Sequence, residues 1–246
     1  MPAACGEAAS EVGDDSIKLP ERAAQDSGKE AAVGDGGPRP TDAAVQADTS
    51  AARRLCGEPD LLLCFSFEGE VKDGSPNAFA PTTTQGVTFA PGKVGQAVVL
   101  GNTSFIRYAS APLLTAPVTT VETWVRPAQV LAEGVIFDAD ERYAMSALPD
   151  GSLQCNTANV VVKGGVLPIG VWTHVACVYD GAKVQAYVGG VLANSGAGSN
   201  GTSPIAPASI GGNAPTGLPF VGAIDSFRVF KAARSAAQIA AAASGN

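Results

Sequence analysis

Between residues 119 and 127 the chain reads TTVETWVRP, which puts Val121, Thr123 and Val125 on one side and Glu122, Trp124 and Arg126 on the other. A period of two is the pattern of a half-buried strand. Short β-like segments recur downstream of residue 60: 61–67 (LLLCFSF), 86–89 (GVTF), 95–100 (GQAVVL), 105–108 (FIRY), 135–137 (VIF), 143–145 (YAM), 152–155 (SLQC), 160–162 (VVV), 209–211 (SIG) and 222–230 (GAIDSFRVF). Turn formers separate them, as in Lys72-Asp73-Gly74-Ser75-Pro76-Asn77 and Pro91-Gly92. The most regular unit is 172–190. There WTHVACVY runs into an Asp180-Gly181 turn, and VQAYV returns to close on Gly189-Gly190. Many short strands at turn-punctuated spacing, with little helix, predict an all-β, double-sheet antiparallel jelly-roll sandwich. One short C-terminal helix is expected, because Ser235 and Gln238 form a capping box before an Ala-rich run to Ala243.

Composition divides the chain. Every aromatic residue lies downstream of Cys64, and residues 1–55 are mostly Ala, Gly, Asp, Glu and Pro with scattered cations. Such a segment buries too little apolar surface to offset its ordering entropy. Residues 1–55 are therefore expected to be a disordered low-complexity tether, and 56–246 a single domain with a substantial core. Net charge is −7, and the longest basic cluster is Arg53-Arg54. That balance argues against nucleic acid and anionic membrane as partners, since phosphate binding needs a positive face. No apolar run approaches the ~18 residues of a membrane span, and the domain is expected to be monomeric.

Five cysteines add a second constraint. Cys5 follows Met1-Pro-Ala-Ala and precedes the tether, which resembles the start of a mature bacterial lipoprotein whose thiol carries lipid. A lipid anchor at Cys5 is one expectation, and an ordinary cysteine in the tail the other. Cys56, Cys64, Cys155 and Cys177 allow three connectivities. The near pairs Cys56–Cys64 and Cys155–Cys177 are favoured, the first pinning the start of the domain and the second tying two neighbouring strands; the alternative is four buried free thiols. Paired cysteines imply an oxidising compartment, so the protein is expected to be exported to the periplasm, the cell surface or the medium. A single histidine, His174, makes a Cys/His zinc site improbable on ligand number alone.

Four segments in order carry a family resemblance: Phe65-Ser66-Phe67-Glu68-Gly69, Val121 to Pro127, the 172–190 hairpin, and Gly222 to Phe230. Over residues 60–240 the chain resembles the laminin-G-like, concanavalin-A-like jelly-roll domains. The resemblance implies a module that presents loops to a glycan or an extracellular protein. It also implies one structural Ca²⁺ where the first and last strands meet. Asp225 would supply a carboxylate, and Glu68 and Asp73 further oxygens, because Ca²⁺ takes hard oxygen ligands. The alternative is that Asp225 caps a turn or pairs with Arg107 or Arg228.

Catalysis is not expected, and no catalytic residue is assigned. Glycosidases need two carboxylates flanking the scissile bond. Asp138, Asp140 and Glu141 form the densest acidic group but read as a solvated loop, and Glu122 reads as a lone carboxylate paired with Arg126 or another cation. His174 reads as a hydrogen-bonded core residue. A sugar site needs an aromatic platform and polar groups for hydroxyls, so Asp140, Glu141, Tyr143 and Phe220 are the candidate ligand-binding residues. The function expected is a non-catalytic binding module, with a structural envelope or spacer protein as the alternative and a glycan hydrolase further behind.

Overall fold

A computed structural model describes residues 54–110, 112–129, 132–140, 142–204, 207–213 and 217–245. The proposed tether through residue 53, Cys5 and Glu141 lie outside the described residues. The first strands are β1 (Leu61–Phe65), β2 (Thr83–Gln85), β3 (Thr88–Pro91), β4 (Gln96–Leu100) and β5 (Phe105–Tyr108). Next come β6 (Thr119–Gln129), β7 (Gly134–Ala139), β8 (Tyr143–Ala147), β9 (Leu153–Thr157) and β10 (Val161–Gly164). The series ends with β11 (Thr173–Tyr179), β12 (Lys183–Val188), β13 (Val191–Ala197), β14 (Ala208–Ile210), β15 (Val221–Phe230) and a helix, α1 (Ala236–Ala243). The expected double-sheet antiparallel sandwich is what forms.

One sheet has eight strands in the order β13-β12-β11-β6-β15-β4-β3, with β1 also on β15; the other has seven, β10-β9-β8-β7-β14-β5-β2. Alternation decides which face of each strand is buried. Val121 and Val125 of β6, Val175 and Cys177 of β11, and Ile224, Phe227 and Val229 of β15 enter the core from the first sheet. Ile106 and Tyr108 of β5, Phe137 and Ala139 of β7, and Met145 of β8 meet them from the second. Phe227 and Phe137 touch across the interior, with ring centroids 5.2 Å apart.

α1 is capped as its sequence predicts: Ser235 accepts from the Gln238 amide, and the Gln238 side chain accepts from the Ser235 amide. Its Ile239 packs on Ala176, Val178 and Tyr187, covering the outer side of β11 and β12.

Two disulfides, Cys56–Cys64 and Cys155–Cys177, join the expected pairs. The second differs in role from the expectation. Cys155 is on β9 of the seven-stranded sheet and Cys177 on β11 of the eight-stranded one, with 5.6 Å between their Cα atoms. It therefore crosses the core and ties the two sheets together, because both side chains alternate inward. Replacing Cys155 and Cys177 together by Ala is expected to cost about 2–4 kcal/mol, measured by urea unfolding; an unchanged midpoint would show that packing alone holds the sheets.

Candidate functional site

Three hollows adjoin one another, beginning at one end of the sandwich. β15 opposite β4 and β6 (Gly222 facing Leu100, Val221 facing Gln129) gathers the β4–β5, β6–β7 and β14–β15 loops there. The first hollow, of about 200 Å³, is lined by Asn102, Gln129, Glu133 and the Leu218–Val221 segment, above Ala147. The second, of about 210 Å³, shares Asn102 and Pro219 with it and adds Gln85, Thr103, Ser104, Phe105 and Asn213. The third, of only about 20 Å³, shares Asn213 and is lined by Arg107, Asp138, Asp140 and Ser209. Because Ile106, Ile210 and Phe137 face the core, alternation puts Arg107, Ser209 and Asp138 on the outer face of the seven-stranded sheet, with Ser209 in register with both others.

The apolar contribution to this groove is mainly aliphatic, from Leu218 and Pro219, with half-buried Phe105 in the second hollow. Leu218 is 42% exposed and has φ +55°, a left-handed conformation that costs a non-Gly residue of order 1 kcal/mol and persists only where neighbours hold it. They do: the Leu218 carbonyl accepts from the Val135 amide at 2.9 Å, and the Phe220 amide donates to Gly211 at 3.0 Å. Polar groups are partly tied to each other. Gln154 Nε2 donates to Glu133 Oε1 at 3.0 Å, and Gln85 Nε2 to the Thr103 carbonyl at 3.0 Å. Asp138 is half-buried, and among the described residues no donor or cation pairs with its carboxylate. Burial, reinforced by the Asp140 charge, pushes it up to about 6.

The structure separates the expected ligand residues. Asp140 lines the third hollow, and Phe220 lies at the first but is only 1% exposed, so it lends backbone and support rather than a ring face. Tyr143 is 2% exposed and packs in the core, 5.2 Å from Tyr179 and 6.1 Å from Phe137. Inward alternation on β8 removes it as a sugar platform. Asn102, Gln129, Glu133, Arg107, Asp138 and Leu218 were not singled out for binding by sequence. They come from loops and strands far apart in the chain, so no local sequence signal marked them.

The three carboxylates expected to hold Ca²⁺ are engaged otherwise. Asp225 Oδ2 accepts from the Lys93 and Val94 amides at 2.8 and 2.9 Å, and Oδ1 from the Ser226 hydroxyl. It thus caps the β3–β4 turn, so closely that a Cβ on Gly92 would sit 2.7 Å from Oδ2. Burial still pushes Asp225 up to about 6. Asp73 accepts from the Cys64, Ser75 and Phe79 amides and the Ser75 hydroxyl, and Glu68 from the Gln96 amide. Among the described residues no three His, Cys, Asp or Glu side chains gather as a metal cluster. Carboxylates facing N–H donors do not fit an oxygen cage for Ca²⁺.

His174 and Glu122 lie on the other outer face, that of the eight-stranded sheet. Glu122 is fully buried and pairs with Arg228 Nη2 at 2.5 Å and Arg234 Nε at 3.5 Å, rather than with Arg126, while Glu58 joins both arginines. His174 is 2% exposed, edge-on to Trp124 at 5.4 Å, and its Nδ1 lacks a hydrogen-bond partner. The hydrogen bond expected of this core residue is thus not made at Nδ1 among the described residues. Burial, with help from Arg228 and Arg234, pushes His174 down to about 3. It is a neutral scaffold residue.

A histidine lowered from 6.5 contributes stability that is present above pH 6.5 and lost as pH falls towards 3. Between pH 7 and pH 5 the native protein should lose about 2 kcal/mol more than His174→Gln, at about 1.4 kcal/mol per unit. Urea unfolding at both values checks this, and a loss of the opposite sign would mean that folded His174 carries a charge. Adding Ca²⁺ or EDTA is expected to leave Tm unchanged; a Ca²⁺-dependent rise would reveal oxygen ligands beyond these three carboxylates.

Solved structures share the fold. Domain 4 of AbnA, an extracellular GH43 arabinanase from Geobacillus stearothermophilus in complex with arabinotriose, has a TM-score of 0.62 and 26% identity over 75% of this chain and 98% of its own. The binding domain of Paraclostridial Mosquitocidal Protein 1 has a TM-score of 0.62 and 14% identity, over 78% of this chain and 53% of that one. The binding domain of Botulinum Neurotoxin DC in complex with SialylT has a TM-score of 0.60 and 11% identity, over 76% and 52%. The chain thus spans about half the length of the two toxin structures. No curated protein matches it. A family model matches residues 100–240, more than half of the chain, and by it the protein belongs to the concanavalin A-like lectin/glucanases superfamily.

Proposed function

We propose that this protein is a non-catalytic, exported binding module that takes an oligosaccharide along the row of three hollows. The observation that carries this reading is their arrangement. Hollows that share Asn102, Pro219 and Asn213 make an elongated groove edged by amides, hydroxyls and carboxylates beside Leu218 and Pro219. Amide and carboxylate groups match the donors and acceptors of sugar hydroxyls, and an aliphatic wall suits the C–H faces of a sugar ring.

Two further facts support it. The similar structure at 26% identity is a domain in complex with arabinotriose. Two disulfides suit a compartment outside the reducing cytoplasm, and among the described residues no helix is long and apolar enough to cross a membrane. A lipid at Cys5 would hold the module at the cell surface, which mass spectrometry of the native protein would reveal.

Calorimetric titration with a panel of neutral oligosaccharides that includes arabinotriose tests the reading. At least one should bind, and Asn102→Ala should weaken it about tenfold, the loss of one well-made hydrogen bond, without changing Tm. Product release from any of these sugars would mean that the protein is a hydrolase, and binding that ignores Asn102 would place the site elsewhere.

A further inference from the structure

The charged side chains along the groove are unevenly distributed: Glu133 in the first hollow, Asp138 and Asp140 in the third, and Arg107 as the one cation lining any of the three. We propose that the groove takes uncharged oligosaccharides and rejects those bearing a carboxylate, with Asp138 as the discriminating residue. This rests on the oligosaccharide reading of the groove.

Asp138 differs from both other acids of the groove: Glu133 is tied to Gln154 and Asp140 is exposed, whereas Asp138 is half-buried with neither a hydrogen-bond donor nor an ion pair among the described residues. It is fixed in β7 between Ser209 of β14 and Ala144 of β8, on the outer face. Both neighbours are short, so its oxygens are left as acceptors for two hydroxyls of a bound sugar. A sugar acid at that place would set carboxylate against carboxylate in a half-buried hollow, where like-charge contact is strongly unfavourable.

Arg107 does not reverse the sign. It lies across Ser209 from Asp138, and an anion that reaches it enters a hollow of about 20 Å³ walled by Asp138 and Asp140. Its guanidinium donates equally well to a neutral hydroxyl.

The test is binding to matched pairs of oligosaccharides, each neutral member beside its uronic- or sialic-acid counterpart, for the native chain and Asp138→Asn. Asn keeps the shape and an acceptor oxygen while removing the charge. The native chain should prefer the neutral member by about tenfold or more, and Asp138→Asn should cut that preference, read as the ratio of the two affinities, to about threefold or less, while weakening the neutral member through the loss of one acceptor oxygen. Circular dichroism and an unchanged Tm would show that the variant folds. Should the native chain bind acidic members as tightly as neutral ones, or Asp138→Asn leave the preference intact, the proposal fails while the oligosaccharide reading stands. Should no member of any pair bind, that reading fails and this one with it.

Discussion

β15 hydrogen-bonds to β6 along most of its length, and its other edge is divided between two partners. Gly222 to Ile224 face β4, and Phe227 to Phe230 face β1. The division falls at Asp225-Ser226, where the register slips and Ser226 takes φ +52°. Such a bulge bends the strand and sharpens its twist. Here it lets one strand close the first element of the domain onto the last and still carry β4 and β3. Asp225 makes the arrangement specific, because its buried carboxylate holds the β3–β4 turn by two amides. The same strand positions the groove, since its first residues leave the Leu218–Phe220 segment beside Asn102 and Gly134.

A second buried set of charges lies across β6 and β15. Glu122 has no exposure, so its charge is tolerable only because Arg228 and Arg234 neutralise it and Glu58 completes the balance. Both guanidiniums also lie over the Phe230 ring, at 5.5 and 4.4 Å from its centroid, which adds a cation–π contribution in a desolvated setting. Removing one member of such a group is usually costlier than never having buried it. The segment before β1 is thus fixed twice, by Glu58 and by Cys56–Cys64.

The scaffold and the groove have different chemistry. Aromatic residues are 6% of the chain, and many of them, such as Tyr108, Tyr143, Phe137 and Phe227, are consumed by the core. The groove is left with amides, a few charges, an aliphatic edge and the half-buried Phe105. On the proposed reading, recognition depends on the count and direction of hydrogen bonds more than on stacking, which favours modest affinity with discrimination by polar complementarity.

Much of the architecture was legible in the sequence. Period-two runs such as 119–127 and 222–230 became β6 and β15, and the Ser235 box became the cap of α1. β2 and β13 were not read, because an exposed edge strand such as VLANSGA buries neither face and shows no alternation. The near pairs of cysteines pointed to both disulfides, yet spacing says nothing about which sheet a strand joins. Only the fold shows Cys155–Cys177 crossing the core. The groove was hidden for the same reason: Asn102, Glu133, Asp138 and Leu218 are scattered along the chain and carry no local pattern. Tyr143, beside an acidic cluster, looked like a platform until β8 turned it inward. The sequence by itself determined the sandwich, through alternation and turn chemistry that act over a few residues. Which polar groups meet in a groove, and which carboxylates are spent capping turns, was decided by long-range strand order, to which local pattern is blind.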